Sequence, residues 1–365
     1  MNSKSNWLKE RKWGVFVHYL YHEYDKPSVK NDFKPAKTWN ECVNRFDVKN
    51  YARTLHELNA GYAVVTLMQG QPYMCAPNAE YDKIIGSKPG EYCSERDLIM
   101  EIADELEKYD IPLMLYYTGD GPYKNRQTAA AFNYFNRDDE EVNDDFLKKW
   151  TDVLREYAIR YGKKVKGWWI DGMYAHRGYT DENMKLYKDA ITAGNPDALL
   201  ALNNGNVWMD WRIPNPASLT EDLAHPLEKV KRLFALAEQT EDEEARRKAQ
   251  EAFSVPGPAR YSIHEDFTAG EETEFMKFYP NERFVDGAQW HILSFLGQPT
   301  SDDGICGKGG WSCVGSKYSG DELRDYVTAV NEKGGVVSVD IAVFDNGTFD
   351  KGQIEVLKAL KNIYR

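Results

Sequence analysis

The chain has 365 residues, 42% hydrophobic and 28% charged, enough to bury one large α/β barrel or two ordinary domains. Its 58 acidic residues outnumber 46 basic ones for a formal charge of -12, with no basic stripe to track phosphates, which excludes nucleic acid as the expected partner. No apolar run approaches the ~20 residues that span a bilayer, and the start MNSKSNW lacks the apolar segment of a signal peptide, so no membrane association is expected and localisation stays open.

Short β-rich runs alternate with longer helical patterns along the chain. Residues 13–19 (WGVFVHY) read as the first strand and 48–59 as a helix. A second strand at 62–67 precedes a helix at 95–109, and a third at 112–118 precedes one at 144–161. The fourth strand, 165–171 (VKGWWID), leads to a helix at 181–193, and the fifth spans 198–204. A highly charged helix follows at 227–253, its charges read as a solvated face. The sixth strand is expected at 260–266, the seventh within 284–296 and the eighth at 335–341, with helices at 321–332 and 352–363. Ser94 with Asp97, and Asp181 behind Thr180, supply N-terminal caps.

Eight strands, apolar on both faces and separated by helices, predict an α/β fold closed as a (β/α)8 TIM-like barrel. It forms a single domain over residues 1–365, with a charged helical insertion around 225–256. An open doubly wound sheet is disfavoured because no strand is followed by GxGxxG. The five cysteines include no CxxC. Cys306 and Cys313 could pair, but buried thiols are the favoured reading. Aromatic residues make up 13%, a weak pointer to rings that stack on sugar faces.

In such barrels the chemistry sits at the C-terminal strand ends. Those ends carry His18-Tyr19, Met68-Gln69, Tyr117, Asp171, Asn203-Asn204, His264-Glu265-Asp266, Trp290-His291 and Asp340. Histidine is the only basic type among them, so a phosphate substrate has little to hold it. In VKGWWIDG the period of two sets Gly167, Trp169 and Asp171 on one face, and Gly172 permits the turn that follows. A carboxylate leaving an aromatic strand end is what a glycosidase nucleophile requires, although a turn-capping role fits the same position. The second carboxyl, an acid/base, falls among Glu265, Asp266, Glu271, Glu272 and Glu274 of HEDFTAGEETEF, and composition does not choose between them. HExxH, a strand-end His-x-His and GxSxG are all absent, so metal and serine chemistry are weaker readings.

Taken in order, these segments resemble glycoside hydrolase family 29, the retaining α-L-fucosidases. WLKERKWGVFVHY resembles the family's first strand, and FKPAKTWNECVNRFDVKNYARTLHELNAGYAVVTL its first helix and second strand. VKGWWIDG matches the nucleophile strand, which implies that role for Asp171. DFTAGE resembles the family's acid/base segment and so selects Glu271. The resemblance extends to VNEKGGVVSVDIAVFDNGTFDKGQIEVLKAL, the final strand and helix, without the usual C-terminal β-sandwich.

The departures fall on the sugar-reading residues. Where the family's second strand ends in paired histidines that bond the fucose hydroxyls, this chain has Met68-Gln69-Gly70-Gln71, and Gly70 is expected to leave open space. The resemblance implies a retaining glycoside hydrolase for an oligosaccharide or glycoconjugate, with its substrate shifted from plain L-fucose. His18, Gln69, Tyr117 and Trp290 are the expected sugar contacts, Trp39 matches a position beside the sugar, and Arg260 is expected to orient a carboxylate or hydroxyl. No cofactor or metal is implied. A non-catalytic sugar-binding barrel and a metal-dependent hydrolase on a similar barrel are the rivals. Sugar identity, anomer, aglycone and oligomeric state are not encoded in any motif.

Overall fold

The computed structural model describes residues 3–21, 36–137, 140–174, 177–204, 258–298 and 310–363. The strands are β1 (Trp13–Val17), β2 (Tyr62–Met68), β3 (Leu113–Thr118), β4 (Val165–Asp171) and β5 (Leu199–Leu202). A short antiparallel hairpin, β6 (Phe284–Val285) and β7 (Ala288–Gln289), precedes β8 (His291–Phe295) and β9 (Val336–Asp340). Seven of these form one parallel sheet in the order β5-β4-β3-β2-β1-β9-β8.

Helices Val48–Glu57, Leu98–Glu107, Asp144–Tyr161, Asp181–Thr192, Gly320–Glu332 and Lys351–Leu357 lie near their expected positions. Thr180 and Ser319 begin theirs with reciprocal capping boxes, and the Asp97 carboxylate accepts the Met100 N–H at 2.9 Å. Ser94 caps no helix, because its hydroxyl donates to the Arg96 carbonyl at 2.6 Å. The charged helix and insertion expected around 225–256 lie outside the described residues, as does Cys306. Cys42, Cys75 and Cys93 are buried thiols.

Two apolar layers sandwich the sheet. Phe16, Val64, Met114, Tyr116, Trp169 and Leu293 share one cluster on the inner face, and a larger cluster fills the space between sheet and helices. The inner face is strongly curled. β1 and β4 are three strand spacings apart, ~14 Å in a flat sheet. Yet the Phe16 and Trp169 rings meet edge to face with centroids 5.7 Å apart.

The expected sixth strand at 260–266 is the main correction. Residues 260–265 are irregular with a turn at 263–264, and the link between the two sheet edges is made by residues 266–272 instead. Asp266 N–H donates to the Leu200 carbonyl of β5 at 2.8 Å. On the other side Leu293 N–H donates to Gly270 at 2.8 Å, and Glu272 N–H donates to Leu293 at 2.9 Å. The ladder is irregular because the Thr268 hydroxyl takes a backbone group's place, accepting from His291 N–H at 2.8 Å and donating to its carbonyl at 2.7 Å. Among the described residues the parallel sheet therefore has seven strands and a bridging segment, where eight strands were expected.

Gly270 lets this segment pass close to β8. It sits at φ +59, and a Cβ there would lie 2.1 Å from the His291 carbonyl oxygen. Gly86, at φ +72, has nothing within 4 Å of the same position. Gly86→Ala should cost only the strained backbone, about 1–3 kcal/mol. Gly270→Ala should cost clearly more in urea unfolding. Equal losses would show that the close approach carries no energy.

Candidate active site

The alternation of side chains decides which residues reach the mouth of the curled sheet. Register pairs Tyr116 with Trp169 and Thr118 with Asp171, placing Asp171 above Trp169 on the inner face. The Trp169 indole N–H donates to the Ala269 carbonyl at 3.0 Å, tying β4 to the bridging segment. In that segment Phe267 and Ala269 belong to the inner cluster, and Glu271 follows them on the same face.

Asp171 and Glu271 therefore converge, and a third residue joins them. The side-chain amide of Asn203, just beyond β5, donates to Asp171 Oδ1 at 2.8 Å and to Glu271 Oε2 at 2.5 Å. Those two oxygens can be no further apart than the two bonds laid end to end. The other Asp171 oxygen, Oδ2, accepts the Tyr116 hydroxyl at 2.5 Å. Two donors thus serve Asp171, while Glu271 shares one of them.

The electrostatic consequence is unequal. Burial, followed by the negative charge of Asp171, raises the Glu271 carboxyl to about 7, against the opposing pull of the Asn203 bond. Glu271 is therefore arranged to hold its proton beside a second carboxyl. Tyr174, in the loop after β4, has its phenol pushed up first by the Asp171 charge and then by burial.

His18 completes this side of the mouth. Its Nδ1 lies 2.9 Å from Asp340 Oδ2, and Asp340 Oδ1 accepts the Ser312 N–H at 2.7 Å. The Asp340 carboxylate fixes the orientation of the imidazole through Nδ1. Tyr116 and Trp311 face the imidazole edge to face, with centroids 5.5 and 6.1 Å away.

Other expected site residues lie elsewhere. Tyr117 points from the opposite face of β3, fully buried and stacked on Trp150 at 4.8 Å. Trp290 precedes β8 and is buried in the outer layer, since the inward positions of that strand are His291, Leu293 and Phe295. His291 itself lies at the base of β8, not at its end. Trp39 is a core residue, 3% exposed, with its indole N–H donating to the Met74 carbonyl at 2.6 Å. Arg260 fastens its own loop, bonding the carbonyls of Ser262, Ile263 and Asp286, and reaches neither acid.

Gln69 stays at the exit of β2, half-buried. The space expected at Gly70 is filled, because Lys124 N–H donates to its carbonyl at 2.9 Å and the Tyr123 ring lies 3.0 Å from where a Cβ would be. Among the described residues no three His, Cys, Asp or Glu side chains gather to hold a metal ion. A cleft of about 470 Å³ between Trp7, Arg11, Lys163 and Lys166 lies at the opposite ends of the strands, the face that serves stability in barrels.

The remaining acids of the segment have other tasks. Glu265 accepts the N–H groups of Tyr261 at 2.7 Å, Ser262 at 2.9 Å and Leu202 at 3.0 Å, so it organises the turn before the bridge. Glu272 is 4% exposed, with no hydrogen-bond partner for Oε2 among the described residues. Burial, reinforced by the Glu271 charge, raises its carboxyl to about 8.

No protein-family model and no curated protein matches the chain. Solved structures do share its fold. An α-L-fucosidase of glycoside hydrolase family 29 from Bacteroides thetaiotaomicron is 14% identical, with a TM-score of 0.57 over 100% of this chain and 73% of that one. A variant of the α-L-fucosidase AlfC in complex with Fuca(1,6)GlcNAc is 13% identical, with a TM-score of 0.55 over 99% of this chain and 98% of its own. An endo-fucoidan hydrolase of glycoside hydrolase family 107 is 14% identical and reaches a TM-score of 0.61, covering 99% and 93%. The likeness bears out the resemblance at the level of fold.

The buried acids predict a pH-dependent stability. An unfolded Glu272 releases its proton near its ordinary value of 4.5, whereas the folded one keeps it to about 8. Stability is therefore highest at acid pH and falls as pH rises through that window. Glu272→Gln should unfold at a higher temperature than wild type at pH 8 and lose the advantage at pH 4. An advantage of equal size at both pH values would refute the assignment.

Proposed function

We propose that the chain is a retaining glycoside hydrolase of the α-L-fucosidase kind, acting on an oligosaccharide or glycoconjugate. The observation that carries this reading is the single Asn203 amide that holds two acids of unequal proton affinity. The two bonds meet at one nitrogen and keep those two oxygens close, which agrees with a retaining enzyme, whose carboxyl groups lie ~5–5.5 Å apart. Inverting enzymes need ~6.5–9.5 Å to admit a water between the acids. The fold shared with fucosidases and a fucoidan hydrolase agrees with this reading.

In this mechanism the Asp171 carboxylate attacks the anomeric carbon while the glycosidic C–O bond breaks. Glu271 gives its proton to the departing oxygen, leaving a glycosyl ester on Asp171. Water then attacks the same carbon, Glu271 takes its proton, and the ester oxygen returns to Asp171 as carboxylate. Tyr116 and Asn203 each donate a hydrogen bond to Asp171 and so hold it aimed. His18 and Gln69 are the sugar contacts retained from the expected set. Because Glu271 must begin protonated, kcat/KM should decline above pH 7 as that proton is lost.

The test is a panel of aryl α- and β-glycosides, α-L-fucoside included, run with wild type, Asp171→Ala and Glu271→Ala. One glycoside should turn over, with losses of ~10²–10⁴-fold in Glu271→Ala. Asp171→Ala should lose at least as much and regain turnover with azide, releasing a glycosyl azide. Sugar binding with no turnover in wild type would favour the binding barrel instead. Turnover that survives both substitutions would sink the assignment.

A further inference from the structure

A third acid stands beside Asp171 without a part in that mechanism. Asp120 lies two residues beyond β3 and is 6% exposed. Its Oδ1 is buried and has no hydrogen-bond partner. Glu272 apart, the other buried acids of the segment and the mouth are provided for. Glu265 takes three backbone N–H groups, Asp340 takes His18 and Ser312, and Asp266 takes Leu200 N–H and Lys188. A buried oxygen left without a partner calls for a specific cause.

Its position supplies one. The carboxyl rests on the Cα of Gly172, the residue directly after Asp171; a Cβ there would lie 2.4 Å from Asp120 Cγ and Oδ2 and 2.6 Å from Oδ1. Gly172 at φ +74 is thus required twice, by its backbone and by the acid beside it. Gly119 N–H donates to the Asp171 carbonyl at 2.6 Å, fastening the two strand exits together. Asp171, Arg177 and the phenols of Tyr134, Tyr174, Tyr179 and Tyr187 face the carboxyl through space. Burial raises its proton affinity, the Asp171 charge raises it further, and Arg177 opposes both. Held neutral, a carboxyl can accept one hydrogen bond and donate another. At the neighbouring exit of β2, Met68 and Gln69 offer no charged acceptor.

We infer that Asp120 reads a hydroxyl of the bound sugar, whose O–H completes the unpartnered Oδ1 beside the bond that Asp171 attacks. The inference rests on the glycoside hydrolase reading and makes Asp120 a determinant of specificity. A fixed acceptor of this kind discriminates sharply against a sugar lacking the hydroxyl, because the deoxy analogue leaves it unpaired again.

Asp120→Leu and Asp120→Asn test this in the full chain. Thermal unfolding without ligand and tryptophan fluorescence titrations with L-fucose, D-galactose, L-rhamnose and D-xylose are the readouts. Asp120→Leu should unfold at or above the wild-type temperature, having lost an unpaired buried oxygen, and bind the sugar preferred by wild type at least tenfold more weakly. Asp120→Asn keeps an acceptor oxygen and should stay within a few-fold of wild type. Monodeoxy versions of that sugar should bind wild type weakly at one position only, and Asp120→Leu should no longer distinguish that position. Binding by Asp120→Leu within twofold of wild type overturns this inference and leaves the roles of Asp171 and Glu271 untouched. Wild type binding none of these sugars overturns both.

Discussion

Residues 266–272 are the keystone of this structure, because their backbone bonds β5 on one side and β8 on the other. Without that segment the curled sheet would have two open edges, and the acid carried on it would face no partner. With it, Glu271 is brought to the same amide that restrains Asp171. The segment is irregular for a local reason: the Thr268 hydroxyl and the left-handed Gly270 both take positions that a regular ladder would give to ordinary backbone. An irregular stave next to a reactive group is where barrels commonly re-aim a side chain.

From this geometry the electrostatics follow. Acids packed into one mouth cannot all ionise at ordinary pH, so the distribution of donors decides which one carries the charge. Tyr116 and Asn203 donate to Asp171, and burial leaves Glu271 and Asp120 holding protons longer. Beneath them Trp169, Phe16 and Tyr116 pack ring against ring, with Tyr116 and Trp169 stacked at 5.3 Å. That aromatic floor lowers the local dielectric and fixes the rotamers on which the hydrogen bonds depend. Packing and charge placement are therefore one device in this fold.

The fold is shared with fucosidases and a fucoidan hydrolase at 13–14% identity, so few of its side chains are shared with it. Fold alone hosts many chemistries. The residues at the strand ends, above all the Asp171–Asn203–Glu271 contact, are what support the proposed glycoside chemistry. His18 paired with Asp340 adds an oriented imidazole to the same mouth.

The amino-acid pattern alone determined the alternation of strands and helices, because periods of two and of about 3.6 are written in the chain itself. It placed β4 at residues 165–171 and the long helix at 144–161 without error. It also selected Asp171 by spacing from Trp169, and Glu271 by its resemblance to a known motif. What the pattern lacked was the absolute phase of strands that are apolar on both faces. In LMLYYT either tyrosine satisfies the pattern, and only register against Trp169 turns Tyr116 inward and Tyr117 outward. The same lack of phase left Trp290 indistinguishable from a sugar platform, and Trp39, matched only by resemblance and carried on the helix Trp39–Arg45, was assigned with it to the core by packing. Asn203 stood among the strand-end residues, yet its bridging role depends on two acids 32 and 68 positions away along the chain. The conflict between Asp120 and any side chain at position 172 is likewise a contact between strands. Tertiary structure decided these points because distance through space between strand ends is set by the curl of the sheet, which no local period encodes.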